Sequence, residues 1–145
     1  MLKSFLLVIS IIFYFGNCEH HHESSEHHHA KAGYPELDNG KKWQSDSPTK
    51  SGFAKLTEDL KKFEDKKKGK LTVQDYNEFA KISTASIDSI FASCTMKGKS
   101  HEELHKYIAL LLEDIKSLKG NELNSSKESF EKLKTNLGKF NDFFE

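Results

Sequence analysis

From residue 47 onward, apolar side chains recur every three or four positions, the spacing of helices with one apolar face. Four such seams can be separated. They are Phe53, Leu56, Leu60 and Phe63; Val73, Tyr76, Ala80, Ile87 and Ile90, with Cys94 continuing the spacing; Leu104, Ile108, Leu111, Ile115 and Leu118; and Phe130, Leu133, Leu137, Phe140 and Phe144. The pattern predicts an all-α domain over residues 47–145, an antiparallel four-helix bundle with short turns. A three-helix bundle with a loosely packed first helix is the alternative.

Capping residues and glycines indicate where these helices begin and end. Serine, threonine or aspartate at a helix start, followed three residues later by an acidic side chain, satisfies backbone N–H groups that have no partner inside the helix. The predicted starts of this kind are Thr72–Asp75, Ser100–Glu103 and Ser125–Glu128. Ser47 followed by Pro48, a residue suited to the first helical position, predicts the start of the first helix. Gly98 and Gly120 predict the ends of the second and third helices.

The N-terminus differs from the helical region, because it carries Lys3 followed by an apolar segment at residues 5–15. A segment of about a dozen apolar residues is typical of a secretion signal and is too short to span a bilayer core. We therefore expect residues 1–17 to be a signal peptide and the protein to be exported to the cell envelope, that is, to the periplasm or the outer membrane. The sequence up to Cys18 resembles the lipobox of bacterial lipoproteins, in which that cysteine is lipidated and anchors the chain to a membrane. Asn17 departs from that pattern, and cleavage that leaves a free thiol is the alternative.

Residues 18–46 contain no apolar periodicity before Trp43 and are predicted to form a flexible tail. Six histidines lie in the first part of this tail, among three glutamates. They are His20, His21, His22, His27, His28 and His29. Imidazole and carboxylate groups in a flexible chain bind Cu(II), Zn(II) or Ni(II) with modest selectivity. A solvating linker or a purification tag is the alternative.

Charge and motif content narrow the function. The chain has 22 basic and 22 acidic residues, and this balance argues against nucleic-acid binding, which needs a basic excess. The sequence shows no Ser-His-Asp candidate set and no glycine-rich phosphate loop. We therefore expect a binding protein rather than an enzyme.

The two remaining histidines, His101 and His105, are four residues apart on the third predicted helix, which puts both imidazoles on one face. Cys94 and Met96 precede them across a short turn, so a thiolate, a thioether and two imidazoles could converge on one ion. Such a soft ligand set favours Cu(I), then Cu(II) or Zn(II). Two alternatives stay open: a non-covalent haem in an electron-transfer bundle, and a structural or interaction module without metal.

The same segment, Cys-Thr-Met-Lys-Gly-x-x-His-x-x-Leu-His over residues 94–105, with Gly-Lys-Lys-Trp at 40–43, carries a resemblance. It resembles a family of small, largely uncharacterised exported bacterial helical proteins over residues 38–118. The resemblance implies copper handling by residues that act as one unit, with Trp43 in support. These are Cys94, Met96, Gly98, His101, Leu104 and His105. The resulting hypothesis is an exported metal-binding protein whose cofactor is copper, with zinc possible.

Overall fold

The computed structural model describes residues 31–67 and 70–145, without the side chains of residues 66 and 67. The helices in these ranges are α1 (Ser47–Lys67), α2 (Val73–Ser93), α3 (Gly98–Leu118), α4 (Leu123–Gly138) and α5 (Phe140–Phe143). The described part of the chain has isolated β-bridges but no strand, so the predicted all-α class is confirmed. The predicted signal peptide, Cys18 and all six histidines of the tail lie outside the described residues.

The first two helices begin at capping residues, and at α2 these are the predicted ones. Thr72 and Asp75 form a reciprocal capping box at the start of α2, in which the Thr72 N–H donates to the Asp75 carboxylate at 2.8 Å. At α1 the cap is one residue earlier than predicted. The Asp46 carboxylate accepts the Thr49 N–H at 2.9 Å, and α1 itself starts at Ser47.

The start of α3 differs from the prediction of a capping box at Ser100. The helix begins at Gly98, and Lys97 before it makes no side-chain capping bond. Ser100 is inside the first turn, where its hydroxyl donates to the Lys97 carbonyl at 3.2 Å. Gly98 has a φ of +65°, a left-handed conformation that favours glycine, so it turns the chain into α3 rather than ending α2. Helix α2 has already ended at Ser93.

The predicted capping box at Ser125 is also wrong. Helix α4 starts earlier, at Leu123, after Glu122, which makes no side-chain capping bond. Ser126 is fully buried within the first turn of α4. The predicted fourth helix is moreover interrupted after Gly138, and its last part is the separate short helix α5.

The predicted apolar seams form one hydrophobic core. Every seam residue is buried except Phe63, Val73 and Cys94, which are half-buried. Aromatic rings link the helices: Phe53 of α1 stacks on Phe140 with ring centroids 4.1 Å apart. Phe63 similarly stacks on Phe79 of α2 at 4.6 Å. A fully buried phenylalanine ring contributes about 1.5–3 kcal/mol relative to an exposed one, so the core is the main source of stability.

Side-chain contacts also link the helices to one another and to the turns. The Asn77 side chain, near the start of α2, donates to the Gly120 carbonyl just after α3 at 3.4 Å. Lys134 of α4 pairs with Glu64, near the end of α1, at 2.5 Å. None of the described helices is both long and apolar enough to cross a membrane.

Residues 33–46, here called the strap, lie against the helical domain, which differs from the expectation of a flexible tail up to residue 46. Trp43 pairs with Phe144 in a parallel β-bridge. The Trp43 N–H donates to the Phe143 carbonyl at 2.8 Å, and the Glu145 N–H donates to the Trp43 carbonyl at 2.9 Å. The Ser45 N–H donates to the Glu145 carbonyl at 2.9 Å. The strap therefore joins the C-terminal residues through backbone hydrogen bonds.

Candidate metal centre

The turn between α2 and α3, residues 94–97, carries the predicted sulfur ligands. Cys94 directly follows α2, and its N–H donates to the Ile90 carbonyl at 2.9 Å, which continues the hydrogen bonding of that helix by one residue. The Cys94 side chain is half-buried and is a free thiol. Met96 is also half-buried, and its described contacts are with the hydrophobic core. Helix geometry therefore fixes the position of Cys94 at the edge of the core.

Cys94 and His101 lie side by side across this turn. The Cys94 Sγ atom is 3.7 Å from His101 Nδ1. Zinc–sulfur bonds of about 2.3 Å and zinc–nitrogen bonds of about 2.0–2.1 Å at a tetrahedral angle put the two donor atoms about 3.5 Å apart. The observed separation is close to that value, so one ion could bridge the two atoms after a small change of rotamer.

His105 extends this pair along the same face of α3. Its ring centroid is 4.3 Å from that of His101, with the ring planes tilted by 59°. One helical turn separates the two residues, as the i, i+4 spacing predicts. Phe91 of α2 also contacts His105, with ring centroids 5.0 Å apart. Phe91 was not among the predicted site residues, although its position three residues before Cys94 puts it on the same face of α2.

The three side chains Cys94, His101 and His105 therefore lie together, whereas Met96 is seen only against the core. The arrangement is not a completed coordination sphere. Within residues 31–67 and 70–145, no group of three or more histidine, cysteine, aspartate or glutamate side chains is placed so that it could hold a metal ion as it stands. The Sγ–Nδ1 separation also fits a hydrogen bond between the thiol and the imidazole.

A carboxylate outside the predicted site holds the turn in place. The Thr95 N–H and hydroxyl both donate to Asp46 Oδ2, the hydroxyl at 2.8 Å. The other oxygen of Asp46 caps α1 through Thr49. Partial burial raises the pKa of Asp46, but the hydrogen bonds from Thr49 and Thr95 outweigh that effect and hold it well below its ordinary value. The residue next to Cys94 is thus tied to the start of α1 by an ionised group.

Glu103 lies on α3 between the two histidines in sequence but takes no part in their cluster. It is 4 % exposed, and its Oε2 atom accepts the N–H of Glu36 in the strap at 2.9 Å. Lys99 and Lys106 pair with it at 3.1 and 3.7 Å. Burial raises the pKa of Glu103, but the Glu36 N–H and the two lysines lower it by more, so the pKa is below its ordinary value. Its carboxylate binds the strap rather than the face that carries the histidines.

No family model, curated protein sequence or solved structure matches this chain. The resemblance to exported bacterial helical proteins therefore remains a prediction based on the 94–105 motif. Function has to be argued from the side chains that the fold brings together.

Proposed function

We propose that this protein is an exported metal-binding protein, with copper as the favoured ion and zinc as the second choice. It binds or buffers ions without catalysing a reaction. One binding site is the cluster of Cys94, His101 and His105, with Met96 as a further ligand within the same turn. The other is the histidine-rich tail. The observation that carries the proposal is the 3.7 Å approach of Cys94 Sγ to His101 Nδ1 beside His105.

The donor types support copper over harder ions. One sulfur and two imidazole nitrogens suit Cu(I), which accepts soft ligands and low coordination numbers, while Zn(II) would require a fourth ligand such as water or a further side chain. Calcium and magnesium require several oxygen ligands. Glu103 is a buried acidic residue on the same helix, but it already binds the strap and two lysines.

The scaffold in this proposal is an antiparallel four-helix bundle. The Asn77–Gly120 contact supports that arrangement, because it joins the start of α2 to the end of α3. The export signal, the lipid anchor at Cys18 and the envelope location are supported by the N-terminal sequence alone. A site of sulfur and imidazole ligands suits a compartment in which metal ions arrive from outside the cell.

A module without metal is the competing explanation for the same geometry. In that case the thiol of Cys94 simply donates to His101, and Phe91 packs on His105 to close the end of the domain. Removal of the two imidazoles then lowers stability to the same degree with or without metal. The two explanations differ in whether the cluster contributes measurable affinity for an ion.

The decisive experiment is a Cu(I) titration of the mature chain under reducing conditions, in competition with a chromophoric chelator. The variant is His101→Ala/His105→Ala, and the control is Glu113→Ala/Ser117→Ala, which changes an exposed pair with the same spacing on α3. All three proteins retain the tail, so its contribution cancels. We expect the tightest Cu(I) equivalent to disappear in the histidine variant and to persist in the control. Equal Cu(I) affinity in all three folded proteins would refute the site.

A further inference from the structure

We propose that the exposed face of α2 around Ile82 binds the same face of a second copy, so that the chain forms a weak, antiparallel homodimer. The proposal is independent of metal binding. The term outer face is used below for the exposed positions of α2 on both sides of Ile82. These are Glu78, Lys81, Ile82, Ala85, Asp88 and Ser89.

The centre of the outer face is apolar. Ile82 is 42 % exposed and has no place in the hydrophobic core. Ala85, almost one helical turn further along, is exposed as well. Burial of these side chains against an apolar partner would remove their surface from water, which is favourable. A single exposed isoleucine is common on protein surfaces, so the argument depends on the residues around it.

The outer face has the residue spacing of a helix that packs against another helix. Glu78, Ile82, Ala85 and Ser89 follow one another at intervals of four, three and four residues. This is the spacing at which the side chains of two helices interlock along a shared seam. Ala85 and Ser89 have small side chains, which allow a second helix to approach closely.

A groove beside this seam has room for a larger side chain from the second copy. It lies between α1 and α2 and has a volume of about 370 Å³. Its lining residues are Gly52, Lys55, Ile82, Ala85, Ser86 and Ser89. In an antiparallel pair that puts Ile82 of each copy over Ala85 of the other, each isoleucine lies at the edge of the partner's groove. The apolar contact is then made twice.

Two charged residues beside the seam complement each other across a two-fold axis. Lys81 and Asp88 are seven residues apart, so they lie on the same side of α2, two turns from each other. Within residues 31–67 and 70–145, neither side chain has a hydrogen bond or an ion pair. In a symmetric dimer, residue i of one copy faces residue j of the other and the reverse. An antiparallel second α2 thus sets Lys81 of each copy opposite Asp88 of the other.

The apolar contact and the ion pairs fit one register. The midpoint between Ile82 and Ala85 and the midpoint between Lys81 and Asp88 differ by one residue, about 1.5 Å of helix. A lysine side chain spans that offset easily. Both kinds of contact therefore form around the same two-fold axis.

The charges favour a second copy over an unrelated partner. A partner that is uniformly acidic or basic would place its charge against the same sign at either Asp88 or Lys81, and such contacts disfavour wrong partners. The contact is confined to one helix face, so we expect it to bury less than the roughly 800 Å² per partner of stable complexes. The dimer should therefore be weak, with monomers prevailing at low micromolar concentration.

The test is sedimentation equilibrium of the mature chain from about 10 μM to about 1 mM, a range suited to a small, transient interface. A chelator and a reductant are present, so neither a metal ion nor a disulfide can link two chains. We expect the average mass to rise from that of the monomer towards that of the dimer. Ile82→Glu puts a carboxylate at the apolar centre and should keep the chain monomeric. Leu123→Glu changes another exposed apolar residue, at the start of α4, and should dimerise like the native chain.

Charge reversal tests the antiparallel register. Lys81→Glu alone, or Asp88→Lys alone, sets like charges opposite each other twice and should weaken the dimer about tenfold. The double variant Lys81→Glu/Asp88→Lys exchanges the signs and should recover the native dissociation constant. A native chain that stays monomeric at about 1 mM, or an Ile82→Glu variant that dimerises as well as the native chain, would overturn the proposal. So would a double variant that dimerises no better than the single variants. None of these outcomes bears on metal binding, because no metal is present.

Discussion

Asp46 accepts two hydrogen bonds from Thr95, a residue forty-nine positions further along the chain and adjacent to Cys94. The same carboxylate accepts the N–H of Thr49 at the start of α1. One side chain thus caps a helix and fixes the turn that presents the candidate ligand. Because both roles need acceptor oxygens, the ionised form of Asp46 is the one that supports the fold at this end of the domain.

Asp46→Asn should destabilise the protein by about 1 kcal/mol at neutral pH. Asparagine can still cap α1 through its oxygen, but its NH₂ group cannot accept the hydrogen bonds from Thr95. The lowered pKa of Asp46 means that its contribution is present above the ordinary value of 3.8 and is lost as pH falls below it. Urea unfolding between pH 7 and 3 should therefore show a smaller loss of stability in the variant. Asp88→Asn, an exposed change on α2, should track the native protein.

Asp114→Asn should instead stabilise the protein at neutral pH. Burial raises the pKa of Asp114, and the hydrogen bond from Asn136 offsets only part of that effect. A raised pKa favours the folded state below the ordinary value of 3.8, and this advantage is lost as pH rises through the raised value. Replacing the carboxylate with a neutral amide that can still accept from Asn136 should raise the melting temperature at pH 7. The gain should vanish near pH 4, and Glu128→Gln, a change at an exposed residue of α4, should show neither effect.

Gly52→Ala should destabilise the domain by about 1–3 kcal/mol. A Cβ atom at this position would overlap Cγ1 of Ile90, which is 1 % exposed and cannot move away without disturbing the core. Gly138→Ala is the matched control, because a Cβ there meets no atom within 4 Å. Equilibrium denaturation should separate the two alanine variants, and equal stabilities would contradict the close approach of α1 and α2.

Cys94→Ser should shift the metal preference of the protein away from Cu(I). The hydroxyl is a hard ligand, so Cu(I) affinity at the cluster should fall by at least about tenfold, the lower end of what losing even an outer-shell partner costs a metal site. Zn(II) affinity should fall less, so the ratio of the two affinities measured by chelator competition should drop. Ser93→Ala, a change at the exposed neighbouring residue, should leave that ratio unaltered.

The helices and their buried faces could be predicted from the sequence because they depend on local spacing. The seam of α3, for example, is buried at each of its five predicted positions, from Leu104 to Leu118. Helix starts were less predictable, because Ser100 offered a plausible cap that the structure does not use. The left-handed Gly98 and the tie from Asp46 to Thr95 determine where α3 begins, and the second of these joins residues far apart in the chain.

The candidate site could be predicted only in part, because only part of it depends on local spacing. The i, i+4 spacing placed His101 beside His105, and the short turn brought Cys94 to them. The strap could not be predicted, because its contacts are mostly backbone hydrogen bonds and two single side chains, Tyr34 and Trp43, which leave no periodic pattern. Metal binding and export stay predictions that the proposed titration and N-terminal mass spectrometry of the mature chain can test.

The pairing of the strap with the C-terminal residues has a mechanical consequence. The two segments are parallel, so a pull between the N-terminal end of the strap and Glu145 acts on opposite ends of the short ladder around Trp43. The hydrogen bonds of Trp43 and Ser45 would then be loaded in shear, all at once, rather than opened one after another. If Cys18 holds the chain to a membrane, tension along the tether would load the contacts of the strap with α3 and α4, and then this ladder, before it reached α1.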